Sequence, residues 1–185
     1  MPDWNVVYAS KEVAESNPAE VLINNVHLLS GKGKALDYAS GLAGNAKLLE
    51  ATGYQVSAWD SSEVAVQKVN NYAQVNKLNI QAEYKDLENP ESDPENFFDV
   101  IVVSYFLCRE RLRDLAGLLN KNGLLFYQTF SGEQIEGVGP SRADFRLRRG
   151  ELMEVFSDME LLFYREDIPV GSASIPDQVY FVAKK

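Results

Sequence analysis

The stretch Lys34-Ala35-Leu36-Asp37-Tyr38-Ala39-Ser40-Gly41-Leu42-Ala43-Gly44-Asn45 constrains what this chain can fold into more than any other. A short apolar run ends in an acid, small residues fill Ala39 to Gly44, and Asn45 opens a helical pattern, Ala46-Lys47-Leu48-Leu49-Glu50-Ala51. That order reads as strand, turn, helix. Small residues allow a sharp reversal and let a ligand lie against main-chain amides, while the new helix points its unpaired N–H groups into the same crevice. A ligand site is expected at the end of a first strand.

The same alternation continues along the chain. Lys34 to Ala39 reads as strand one and Asn45 to Ala51 as a helix that Gly53 stops, followed by a second strand from Gln55 to Asp60. Ser62 is a plausible cap for a helix that runs through Val64, Val66, Val69, Tyr72 and Val75 to Asn76. Ile80 to Lys85 is strand three, and the β-branched run from Phe97 to Tyr105 suits a fourth, central strand buried on both faces. Arg111 to Leu119 then reads as a helix, Asn120 to Gly123 as a turn and Leu124 to Phe130 as strand five. Right-handed crossovers of this kind build an α/β, Rossmann-like, doubly wound parallel sheet with its ligand outside the carboxyl ends of the strands. Asp37, Asp60, Asp86 and Ser104 all fall at those ends.

The general dinucleotide fingerprint is G-x-G-x-x-G followed about 20 residues later by an acid for the ribose hydroxyls. Only Gly41 and Gly44 are present here, with Ala39 and Ala43 at other small positions, but the acid is in place as Asp60. Asp37 distinguishes the possible ligands, because a carboxylate beside the turn repels a pyrophosphate and attracts an ammonium or a sulfonium. The charge favours S-adenosylmethionine over NAD. On these residues the chain resembles the class I S-adenosylmethionine-dependent methyltransferases, whose first motif is L-D-x-G-x-G-x-G. It departs from that motif by Ala39 and Ala43 in place of Gly, and by Ser40 where Cys is frequent. The resemblance implies cofactor contacts from Asp37, Ala39, Ser40, Gly41, Asn45, Asp60, Ser61, Asp86, Leu87, Ser104 and Tyr105. Asp86 would accept from the adenine amino group, or else is a plain turn residue.

A net charge of −9 argues against a nucleic-acid partner, whose binding is driven largely by Lys and Arg. Ser104-Tyr105-Phe106-Leu107 likewise lacks the Asp/Asn-Pro-Pro-Tyr/Phe pattern of methyltransferases that act on bases. One histidine and one cysteine leave too few ligands for a zinc site and no internal disulfide. His27 reads as a helix-end histidine or a substrate contact, and Cys108 as a small buried hydrophobe or a pocket residue. With no run of about 20 apolar residues and no signal-peptide pattern, an intracellular, cytoplasmic protein is expected.

Before the core, Met1 to Asn17 reads as a polar flap carrying Trp4 and Tyr8, and a helix follows from Pro18 to Leu29 with Asn17 as its cap. The acidic, proline-bearing Asp86 to Asn96 reads as a loop. After the core come a long segment from Ser131 to Arg149, a helix from Glu151 to Phe156, and strands Glu160 to Arg165 and Gln178 to Ala183. The methyltransferase resemblance implies that these two strands form the antiparallel end of a seven-stranded sheet. The 185 residues then make one domain: 1–33 flap and helix, 34–130 cofactor-binding core, 131–185 substrate side.

Leu147 to Leu152 and Met159 to Glu166 are similar to the C-terminal pattern of the small-molecule methyltransferases grouped with tellurite-resistance proteins, though an ordinary helix and strand would look alike. The main expectation is methyl transfer to a small acceptor, an anionic thiol, an oxyanion or a metalloid. Tyr105, Arg142 and Arg146 are the suspected acceptor contacts, the arginines suiting an anion or else making structural salt links. The rival readings are a catalytically degenerate S-adenosylmethionine-binding sensor or partner protein, prompted by Ala39 and Ala43, and a nucleotide oxidoreductase.

Overall fold

A computed structural model describes residues 3–88, 97–132, 139–167 and 177–185. In chain order its helices are α1 (Trp4–Ala9), α2 (Glu20–Asn24), α3 (Gly44–Ala51), α4 (Glu63–Asn76), α5 (Leu112–Gly117) and α6 (Glu151–Val155). The strands are β1 (Lys34–Tyr38), β2 (Gln55–Asp60), β3 (Ile80–Tyr84), β4 (Phe98–Ser104), β5 (Leu119–Phe130), β6 (Glu160–Glu166) and β7 (Gln178–Lys184). They form one seven-stranded sheet in the order β3-β2-β1-β4-β5-β7-β6. Neighbours from β3 to β5 are parallel, whereas β7 runs antiparallel to both β5 and β6.

Each face of the sheet carries its own apolar layer. Leu22, Ala46, Leu49, Val69 and Ala73 bring α2, α3 and α4 onto one face, and Leu112, Leu115 and Leu152 bring α5 and α6 onto the other. Val100 to Val103 are buried without interruption, as a strand covered on both faces requires. The order reverses between β1 and β4, which leaves a crevice at their carboxyl ends.

Local signals set several boundaries. The Ser62 hydroxyl accepts from the Ala65 N–H at 3.1 Å and caps α4, which ends where Lys77 takes φ +55°. The N-terminal helix is shorter than the spacing predicts. It spans Glu20–Asn24 followed by a 3₁₀ turn at Val26–Leu28, and its first turn is satisfied from afar: Asn45 Oδ1 accepts from Ala19 N and Gln128 Oε1 from Val21 N, both at 2.8 Å. The fifth strand also begins earlier than expected. Leu119 pairs with Phe98, and a register shift before the Val100–Leu124 pair absorbs the residues expected to form a separate turn. Residues 89–96, 133–138 and 168–176, which include parts of the expected loops after Asp86, after Ser131 and before Asp177, lie outside the described residues.

Candidate active site

A cleft of about 1410 Å³ opens at the carboxyl ends of β1, β2 and β4. Ala39, Ser40, Gly41, Asn45, Asp60 and Ser61 wall it around the motif turn, Phe130, Arg142 and Phe145 wall another part, and Tyr105 also lines it. Trp4 and Tyr8 of α1 overlie it, their rings stacked at 5.7 Å. Cavities holding one drug-sized ligand are on the order of 300–1,000 Å³, so this one has room for two bound molecules.

The turn after β1 owes its shape to three left-handed residues, Ala39 (φ +58°), Gly41 (φ +50°) and Ala43 (φ +60°). The two alanines adopt backbone angles that glycine takes freely, so the turn survives the substitutions at the cost of strain. A left-handed alanine costs roughly 1–2 kcal/mol, and a glycine loses about 0.5–1 kcal/mol more backbone entropy on folding. Ala39→Gly, at a partly exposed position, is therefore expected to raise the thermal midpoint by about 1–4 °C. Differential scanning calorimetry checks this; a fall would show that the methyl group is needed.

Asp60 lies at the floor of the cleft. Its Oδ2 accepts from Gly41 N at 2.7 Å and its Oδ1 from Ser62 N at 2.9 Å, so one carboxylate braces the motif turn against the start of α4. Burial pushes its pKa up while these amides pull it back. The Tyr8 phenol, pushed up to about 12 by burial and then by Asp60 and Asp37, is neutral at physiological pH. Asn5 Oδ1 accepts from the Ser62 hydroxyl at 2.8 Å and from Val64 N at 3.2 Å, and Lys68 Nζ donates to the carbonyls of Ala9 and Lys11. No residue of α1 is buried, so polar contacts of this kind hold it over the cleft.

Asp37 differs from the expectation that it guards the cleft directly. It is fully buried and does not line the cavity, because Asn45 stands between. Its two oxygens accept from Asn45 Nδ2 at 3.0 Å and Ala46 N at 2.9 Å, and the same Asn45 Nδ2 lies 3.0 Å from Ser104 Oγ. Burial raises its pKa to about 7, with a smaller push from Asp60. A carboxyl whose folded pKa exceeds its unfolded value stabilises the fold fully below the unfolded pKa, here 3.8, and loses that contribution as pH rises through about 7. The thermal midpoint of the wild type minus that of Asp37→Asn should fall between those two values and level off above them. A flat difference would show that Asp37 stays ionised.

Ser104, Asp86 and Leu87 also line the cleft. The Leu87 carbonyl accepts from the Tyr38 hydroxyl at 3.3 Å, and Asp86 Oδ1 accepts from Glu88 N at 3.1 Å. Tyr105 lines it with φ +55°, its ring 5.7 Å from that of Phe130. Arg142 is at the rim, exposed, over the Phe145 ring and 2.9 Å from Asp144.

Arg146 is elsewhere. It is buried and absent from the cleft wall; it donates to the carbonyls of Ser131 (2.9 Å) and Gly132 (3.2 Å) and lies 3.8 Å from Asp177. Cleft residues without a prior signal in the sequence are Tyr84, Phe106, Phe130 and Phe145, single aromatics in segments that read as ordinary strand or loop. Among the described residues no group of three or more His, Cys, Asp or Glu side chains could hold a metal ion.

This strand order, with the reversed β7 and a cleft at the motif turn, is the Rossmann-like fold of the class I methyltransferases. The match to crystalline TehB from Haemophilus influenzae has a TM-score of 0.74 at 22% identity, covering 91% of this chain and 62% of that one. A structure solved for the conversion of a disulfide bond into a thioacetal group during echinomycin biosynthesis matches with a TM-score of 0.70 at 17% identity, covering 98% and 90%. The model of the tellurite resistance protein TehB family matches residues 7–174, and the chain belongs to that family. Curated relatives from two Haemophilus influenzae strains, each described as a probable S-adenosyl-L-methionine-dependent methyltransferase TehB, are 29% identical over 142 residues, 73% of this chain and 49% of theirs. The chain thus spans about half the length of the curated relatives it matches.

Proposed function

We propose that this chain binds S-adenosylmethionine in the cleft and transfers its methyl group to a small anionic acceptor, an oxyanion, thiolate or metalloid anion. The observation that carries this is one continuous cavity of about 1410 Å³ with Asp60 and the Gly41 turn in one part and Arg142 with an aromatic wall in another. The Asp60 carboxylate suits ribose hydroxyls, and Asp86 and Leu87 suit the adenine edge. The sulfonium methyl is already activated, so the protein's task is to hold a nucleophile in line with the S–CH₃ bond and to exclude water. An anion needs no general base, and an arginine at the rim favours its entry. The family's name supports tellurite and its lighter analogue selenite as first acceptors to try. The net charge of −9 supports a small-molecule acceptor over nucleic acid, and the cytoplasm is proposed as the compartment. No helix among the described residues is long and apolar enough to cross a membrane.

The test has two stages. Calorimetry should show binding of S-adenosylmethionine and S-adenosylhomocysteine but not of NADH, and labelled donor should then pass its methyl group to tellurite, selenite or a small thiol. Tight donor binding without turnover would favour a sensor or partner protein, and NADH binding alone would favour an oxidoreductase. The left-handed backbone at Ala39 and Ala43 retains the glycine geometry of the motif, which supports the enzyme.

A further inference from the structure

Gln128 presents an unusual combination: a buried side-chain amide in the middle of a sheet whose backbone pairs on both sides. Burying such an amide is unfavourable unless its donors and acceptor are all occupied. They are occupied here from two elements and the residue that follows β4. Oε1 accepts from Val21 N of α2 at 2.8 Å, and Nε2 donates to Gln178 Oε1 of β7 at 2.8 Å and to the Tyr105 hydroxyl at 3.0 Å. The Gln128 carbonyl also accepts from Tyr105 N at 2.8 Å. One residue therefore holds Tyr105 by its backbone and by the tip of its side chain, and also holds Gln178, the second partner of the Tyr105 hydroxyl.

Tyr105 needs holding. Its φ of +55° is a left-handed conformation that is strained for a non-glycine residue and persists only where the surroundings impose it. The position also lines the cleft. Its neighbour Ser104 touches Asn45 of the motif turn at 3.0 Å, and its own ring packs against Phe130 of the aromatic wall. Tyr105 thus links the motif turn, through Ser104, to the aromatic wall of the cleft, and burial of part of its ring raises the pKa of its phenol.

We infer that Gln128 is a positioning residue that fixes the strained Tyr105 between the motif turn and the aromatic wall of the cleft, and so sets the alignment of the acceptor. The alignment part rests on the methyl-transfer reading above; the Gln128–Tyr105 coupling does not. A misplacement of about 1 Å can cost on the order of 100-fold in rate, so alignment can depend on a residue that touches neither ligand.

The experiment uses Gln128→Met, Tyr105→Phe and the double variant. The protein has nine tyrosines; labelled with 3-fluorotyrosine, its Tyr105 resonance is assigned by its absence in Tyr105→Phe. In Gln128→Met that resonance should move towards the position of free fluorotyrosine, and an unmoved resonance would overturn the coupling whether or not an acceptor is found. With the acceptor the wild type methylates, each single variant should lower kcat by about 10- to 100-fold, and Gln128→Met, outside the cleft lining, should leave the dissociation constant for S-adenosylhomocysteine unchanged. The double variant should be no worse than the worse single one. Losses that multiply, or a Gln128→Met enzyme with wild-type kcat, would sink the alignment role. A wild type that binds donor but methylates nothing would instead count against the methyl-transfer reading and, with it, the alignment role, leaving the fluorine result to decide the coupling.

Discussion

Replacing Asp60 with alanine is expected to weaken S-adenosylhomocysteine binding roughly 100-fold, the loss of about 2.7 kcal/mol that charge-assisted hydrogen bonds to a ligand typically supply. Two effects add in the same direction. The cleft loses the carboxylate proposed for the ribose hydroxyls, and Gly41 N and Ser62 N lose the acceptor that holds the motif turn against the start of α4. Asp60→Asn separates them: one amide oxygen can still brace Gly41, so the turn should survive while the charge is gone, and a loss of about tenfold is expected. Isothermal calorimetry at fixed pH reads both. Unchanged affinity in Asp60→Ala would remove this residue from the site and with it the support for a ribose-bearing ligand.

The second large effect is on stability. Arg146→Ala should cost about 3 kcal/mol in urea unfolding, because removing one partner of a buried ion pair leaves the others without compensation. The Ser131 and Gly132 carbonyls would lose their donor, and Asp177, already raised in pKa by burial, would be left with Arg149 at 3.4 Å. Arg146→Lys should recover little, since a single ammonium cannot span two carbonyls and a carboxylate as a planar guanidinium does. A loss below about 1 kcal/mol would mean that the contacts are dispensable. The Ser131 to Leu147 bridge, with Gly132 N donating to Leu147 O and Leu147 N to Phe130 O, ties the Arg142-bearing segment to the end of β5 beside this same guanidinium.

Where the signal was local, the sequence was legible to the residue. β2 occupies Gln55–Asp60 and α4 ends at Asn76 behind a Ser62 cap, because alternation, a capping hydroxyl and an apolar stripe all lie within a few positions of the boundary. The strand-turn-helix at Asp37 was equally plain. What could not be read is what depends on residues far along the chain. The start of α2 is capped by Asn45, 26 positions later, and not by Asn17. Leu119 enters β5 because Phe98 is there to pair with it. Asp37 and Arg146 were singled out for their charge, and both charges turn inward: Asn45 screens the first, and carbonyls with Asp177 enclose the second. An ionisable residue in a promising segment carries no mark of which way its side chain faces.

The order of strands bears on the fate of an incomplete chain. Among the described residues β6 pairs only with β7, and β7 lies between β5 and β6 although it follows both. Without the later segment that completes their hydrogen bonds, residues 160–166 would be an unpaired strand of the kind that invites aggregation. Released chains truncated before residue 178 should therefore depend on chaperone shielding, while chains that include β7 should not.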